Sequence, residues 1–154
     1  MYNKYFDYGG AVSPLEQRFP TFLAAARADG KVPLVFFADA SSPKLQRKLT
    51  ALFEQLDAEP ELAGLLKNCY AFGVRTDTTP WYDGTVCMEE TKPFAQRRLI
   101  DESRLEQPIL CLFNTKGEWV KIENLDTLAR TVTDPETGEE TVELNRAAVL
   151  EFFE

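Results

Sequence analysis

Hydrophobic residues change period several times along this chain, and each change marks an element. Leu34 to Ala38 is a continuous apolar run between Pro33 and Asp39, the pattern of a strand buried on both faces. Behind it Leu45, Leu49, Leu52, Phe53 and Leu56 form one helical stripe, and Ser42-Pro43 supplies an N-cap and a first-turn proline. Ahead of it Phe19, Phe22, Leu23 and Ala26 follow the helix start Ser13-Pro14-Leu15-Glu16 and stop at Asp29-Gly30. Pro20 predicts a break that splits off the first turn. Glu59-Pro60-Glu61 separates the stripe from a short helical segment over Leu62 to Leu66, and Cys69 to Val74 reads as another buried strand.

The second half alternates less clearly. Trp81-Tyr82-Asp83-Gly84 is turn-like, and Lys92 to Ser103 has helical spacing. Pro108 to Phe113 and Glu118 to Glu123 predict a hairpin across Asn114-Thr115-Lys116-Gly117. Ala129 to Thr133 and Thr141 to Leu144 predict a second one around Asp134 to Gly138, and Ala147 to Phe153 closes the chain as a helix. Residues 1–13 carry Tyr2, Tyr5, Phe6 and Tyr8 and read as an arm docked on the domain. With no repeat, linker or low-complexity run, a single domain over 1–154 is expected, with residues 78–106 as an insertion and helix.

The order of elements is that of an α/β fold. A parallel βαβ half precedes a ββα half, giving a central mixed β-sheet flanked by helices. At the edge where open sheets place ligands, the segment Asp39 to Lys44, the exit Thr76 to Pro80 and the start of the Pro108 strand come together.

Two segments, Val32 to Lys44 and Gln107 to Phe113, resemble the active-site strand and the proline-strand of the thioredoxin family. Asp77-Thr78-Thr79-Pro80 resembles that family's Asp-x-x-Pro, and Gln107-Pro108 matches its cis-proline position, where backbone pairs with extended substrates. The resemblance implies a thioredoxin-like fold with an insertion before the proline-strand. It also implies what is missing: Ser41 stands at the nucleophilic cysteine, Lys44 at the resolving one, Ala40 at the usual Trp and Val35 at the buried acid. No catalytic residue is therefore assigned, and dithiol-disulfide oxidoreductase activity is not expected.

Composition narrows the function further. A formal charge of −8, from 17 basic and 25 acidic residues, disfavours nucleic acid and anionic membranes. Histidine is absent, which removes the Ser-His and Cys-His pairs and imidazole metal sites; neither a metal nor a cofactor is expected. Cys69, Cys87 and Cys111 are scattered, as reduced thiols are. No apolar stretch reaches the length of a membrane span, and Met1 to Tyr8 lacks the apolar core of a signal peptide, so a cytoplasmic protein is expected.

The candidate residues each carry two readings. Ser41, Ser42 and Lys44 form a Ser-x-x-Lys string, but either serine also suits a helix cap; the helix start could instead hold an anion or a thiolate. Cys111 and Cys69 read as core, whereas Cys87 is the candidate reactive thiol, although Glu89 and Glu90 beside it disfavour a thiolate. Glu139-Glu140 reads as solvated turn charge. Trp81 and Tyr82 open an insertion whose cover over the loop offers a partner surface, or they simply pack it down. The expected function is a redox-inactive thioredoxin-like protein acting as an interaction or structural subunit with a protein partner. The alternatives are a thiol- or glutathione-dependent enzyme using Ser41 or Cys87, and a chaperone-like binder of extended peptides beside Pro108.

Overall fold

The structure, a computed structural model, describes residues 15–77 and 87–153. The expected arm over 1–13, the Ser13-Pro14 helix start and the Trp81-Tyr82 surface lie outside the described residues.

Helix α1 spans Leu15–Ala28 and leads into strand β1, Val32–Ala38. Helices α2 (Pro43–Ala58) and α3 (Pro60–Lys67) carry the chain to β2, Cys69–Arg75. Helix α4 (Cys87–Arg97) and a 3-10 turn (Glu102–Glu106) precede β3, Ile109–Phe113, and β4, Trp119–Asn124. A single turn α5 (Leu125–Leu128), the hairpin β5 (Ala129–Thr133) and β6 (Glu140–Leu144), and α6 (Arg146–Phe153) follow. The main sheet has the order β2-β1-β3-β4; β1 and β2 are parallel, and β3 is antiparallel to both β1 and β4.

Strand β1 organises both layers because its side chains alternate. Leu34, Phe36 and Ala38 pack with Leu49, Leu52, Phe53 and Leu56 of α2, and with Leu125, Val149 and Phe152. Val35 and Phe37 point the other way, into Leu15 and Phe19 of α1 and Phe94 and Ala95 of α4. All five strand residues are at most 1% exposed, so the continuous apolar run reports a strand covered on both faces.

Three expectations need correction. α1 runs through Pro20 without a break. Pro20 lies on the exposed side, and the buried Leu15, Phe19 and Ala26 hold the helix on the sheet despite the missing N–H. The helix expected over Lys92 to Ser103 instead spans Cys87–Arg97. It ends because Leu99 adopts φ 61°, with Leu99 N–H donating to Gln96 O and Ile100 N–H donating to Ala95 O. That is a Schellman closure with leucine where glycine is usual. The third is Pro108: no peptide bond among the described residues is cis, so Gln107-Pro108 is trans. Gln107 closes the 3-10 turn at φ −121°, ψ 151°, the extended geometry a pre-proline residue prefers, and trans is the intrinsically favoured isomer.

Candidate functional site

The strand registers bring the Asp39 segment, the start of the β2 exit at Thr76 and Asp77, and the Pro108 strand's entry to one edge; Thr78 to Pro80 lie outside the described residues. Phe37 pairs with Ile109, which leaves Ala38 and Pro108 each one residue beyond that ladder. Ala38 pairs with Arg75, and Thr76 N–H donates to Ala38 O at 3.0 Å. Hence the exits of β1 and β2 and the entry to β3 are neighbours.

The segment Asp39 to Lys44 is tied down by its own hydrogen bonds. The Asp39 carboxylate accepts from Ser41 N–H at 2.8 Å and from Ser41 Oγ–H at 2.5 Å. Asp39 O accepts from Gln46 Nε2–H at 2.9 Å, and Gln46 is 4% exposed. Ser42 is the N-cap of α2: its backbone is extended, and its Oγ accepts from Leu45 N–H at 3.2 Å. Of the two serines, then, Ser42 caps and Ser41 donates to Asp39. A ligand thiolate seeking the Ser41 proton would compete with a carboxylate.

Lys44 sits in the first turn of α2 and is exposed. It lines a groove of about 430 Å³ with Ser42, Leu45, Lys48, Asp126, Arg130 and Thr131. Gln107 is exposed and Pro108 half-buried; Pro108 O accepts from Leu125 N–H at 2.9 Å, which fixes α5 beside the same edge. On the other flank Asp77 is 5% exposed and takes a two-pronged hydrogen bond from Arg75, Nε–H at 3.1 Å and Nη2–H at 2.8 Å. Thr91 Oγ1–H donates to Arg75 O, and Met88 N–H to Asp77 O, so α4 is moored to the β2 exit.

The two thiols described, Cys69 and Cys111, are far less available. Cys111 is fully buried and burial pushes its thiol well up, with the charge of Arg104 opposing. Burial also raises Cys69 to about 11, partly offset by Lys31. Cys87 begins α4, and its side chain lies outside the described residues. Among the described residues no group of three or more Cys, Asp or Glu is placed to hold a metal ion. None of their helices is long and apolar enough to cross a membrane.

Sequence reasoning singled out Ser41, Ser42 and Lys44 but missed Asp39, Gln46, Lys48, Asp126 and Arg130. Two signals were present: Asp39-x-Ser41 has the spacing of an Asx turn, and Gln46 is the polar residue beside the apolar stripe. Nothing local linked Lys48 to Asp126 or Arg130.

A parallel β1–β2 pair joined to an antiparallel β3–β4 pair, with helices on both faces, decides the architecture. The fold is thioredoxin-like. No family model matches the chain, and no curated protein does. Among solved structures, a disulphide isomerase from Xylella fastidiosa Temecula1 is similar over 82% of this chain and 80% of that one, at 11% identity and a TM-score of 0.48. Trxlp from Edwardsiella tarda EIB202 is similar over 92% of this chain and 97% of that one, at 19% identity and a TM-score of 0.43.

Proposed function

We propose that this chain is a redox-inactive thioredoxin-like protein, one domain over 1–154, that works as an interaction or structural subunit of a protein assembly. The observation that carries the reading is the state of the loop at the family's redox position. Ser41 and Lys44 replace both cysteines, and the Ser41 hydroxyl and amide are spent on Asp39. A thiolate-forming site needs a donor-rich, electropositive helix start; here a carboxylate occupies the neighbouring position. The thiol-enzyme reading through Ser41 loses support for the same reason.

The contact surface we propose is the edge formed by residues 39–44, Asp77 and residues 106–108, where Ser41, Lys44 and Gln107 are exposed; residues 78–82, expected to join it, lie outside the described residues. A cytoplasmic setting belongs to the proposal and is supported by Cys69 and Cys111 being free thiols. The test is a pull-down from native lysate. The expected result is one defined protein at fixed stoichiometry, lost when Gln107 and Lys44 are both replaced by Ala in a folded variant. Capture that ignores these substitutions would contradict the proposed surface.

A further inference from the structure

We propose that the groove between α2, α5 and β5 takes a carboxylate-rich extended segment of a partner protein. The inference deepens the subunit reading above and rests on it.

The first observation is the charge that lines the groove. Lys44, Lys48 and Arg130 face a single carboxylate, Asp126, in a chain whose formal charge is −8. A second trough of about 230 Å³ shares Asp126 and Arg130 and continues past Ala129 to Glu143 and Asn145. Together they line a continuous surface drawn from α2, α5, β5 and β6, where Lys44, Lys48 and Arg130 meet two carboxylates, Asp126 and Glu143, beside Leu45 and the polar Ser42 and Thr131.

The second is the charge order along α2. Its first two turns carry Lys44, Arg47 and Lys48, and its acids, Glu54 and Asp57, sit toward the far end. The helix dipole favours the reverse. Helices α1, α3 and α4 do follow the dipole, with Glu16, Glu61 and Glu89-Glu90 in their first turns and Arg27, Lys67 and Arg97 in their last. Placed against the dipole, the α2 cations cost the fold a little stability, which bound carboxylates would relieve.

The third is how weakly the cations are held. Lys44 has no ion-pair partner among the described residues. Arg130 meets Glu143 at 3.1 Å, but the two side chains are 73% and 54% exposed, the setting in which ion pairs contribute least. Lys48 is mostly covered, at 13% exposed, and is paired with Asp126, whose carboxylate is 64% exposed. An incoming carboxylate can therefore take Lys44 directly and share Arg130 cheaply, with Lys48 adding its charge from the groove wall. The overall charge opposes an acidic partner at long range, but that repulsion is screened beyond about 8 Å in physiological salt, so contacts in the groove decide.

Fluorescence anisotropy with a labelled ten-glutamate peptide tests this, beside ten-lysine and Gly-Ser peptides of equal length. The wild-type chain should bind the glutamate peptide saturably and the other two not. Lys44→Glu and Arg130→Glu, both exposed and checked for unchanged melting, should each weaken binding tenfold or more, and 0.5 M salt should weaken the wild type. No saturable binding, equal binding by the variants, or displacement by reduced glutathione overturns the inference. Partner capture that persists without peptide binding leaves the subunit reading standing alone, whereas disulfide-reductase turnover removes that reading whatever the peptide does.

Discussion

Asp39 and Ser41 are joined twice, the carboxylate accepting both the backbone N–H and the hydroxyl, in the turn between β1 and α2. That bond pair separates the roles of two adjacent serines. Ser42 closes the helix start, where an unpaired backbone N–H costs stability.

Replacing Ser42 by Ala should lower stability by about 1 kcal/mol, the usual cost of losing a cap. Ser41→Ala removes an exposed hydrogen bond only and should cost less. Urea denaturation of both variants checks the order, and a larger loss for Ser41→Ala would contradict the assignment of the cap.

Leu99 is 85% exposed and held at φ 61° by the closure of α4. A left-handed conformation costs an L-residue about 1–2 kcal/mol, most of which glycine avoids. Leu99→Gly should therefore raise the unfolding free energy by about 1 kcal/mol, measured by thermal or chemical melting. A destabilised variant would show that the side chain contributes something its exposure conceals.

Asp77 is a buried carboxylate paired with Arg75, whose side chain is 20% exposed. Removing the carboxylate takes away the acceptor of the two Arg75 hydrogen bonds in a mostly covered setting, a loss of about 3 kcal/mol. Asp77→Ala should lose roughly that in denaturant melts and loosen α4, which is moored through Met88 and Thr91 to this corner. Hydrogen exchange over residues 87–97 reads the second effect; unchanged protection there would contradict it.

The buried thiols predict an alkaline limit. The ordinary thiol value of 9.0 is raised to about 11 at Cys69 by burial, and Cys111 is raised further. A raised folded value means the stabilisation is complete below about pH 9 and is lost as pH rises toward the folded value, because the unfolded chain releases its protons first. Stability should fall above pH 9, and Cys111→Ala should flatten that fall. In the native state at pH 8 both thiols should react with an alkylating reagent far more slowly than in urea.

Much of the fold was legible because burial repeats along the chain. The unbroken Leu34 to Ala38 run reports a strand covered on both faces, the Leu45, Leu49, Leu52, Phe53 and Leu56 stripe reports one buried helix face, and the Asn114 to Gly117 turn names itself, with Gly117 at φ 85° and Asn114 Oδ1 accepting from Lys116 and Glu118 N–H. What escaped was set by contacts between distant segments. The four residues of α5 are too few to show a period, and they are fixed through Pro108 O. The end of α4 carries no glycine to announce it, and its first turn, Cys87 to Glu90, offers little apolar spacing. The site followed the same rule: Ser42 could be read locally as a cap, whereas the groove uniting Lys44, Lys48 and Arg130 exists only once β5 lies against α2.

The proposed lack of disulfide exchange at Asp39 to Lys44 is read most directly by insulin-disulfide reduction with dithiothreitol as electron donor. The wild-type chain should give the rate of dithiothreitol alone, while the double substitution Ser41→Cys with Lys44→Cys, run beside it, reports whether this edge can act once thiols are present. Turnover by the wild-type chain above the dithiothreitol rate would contradict the account.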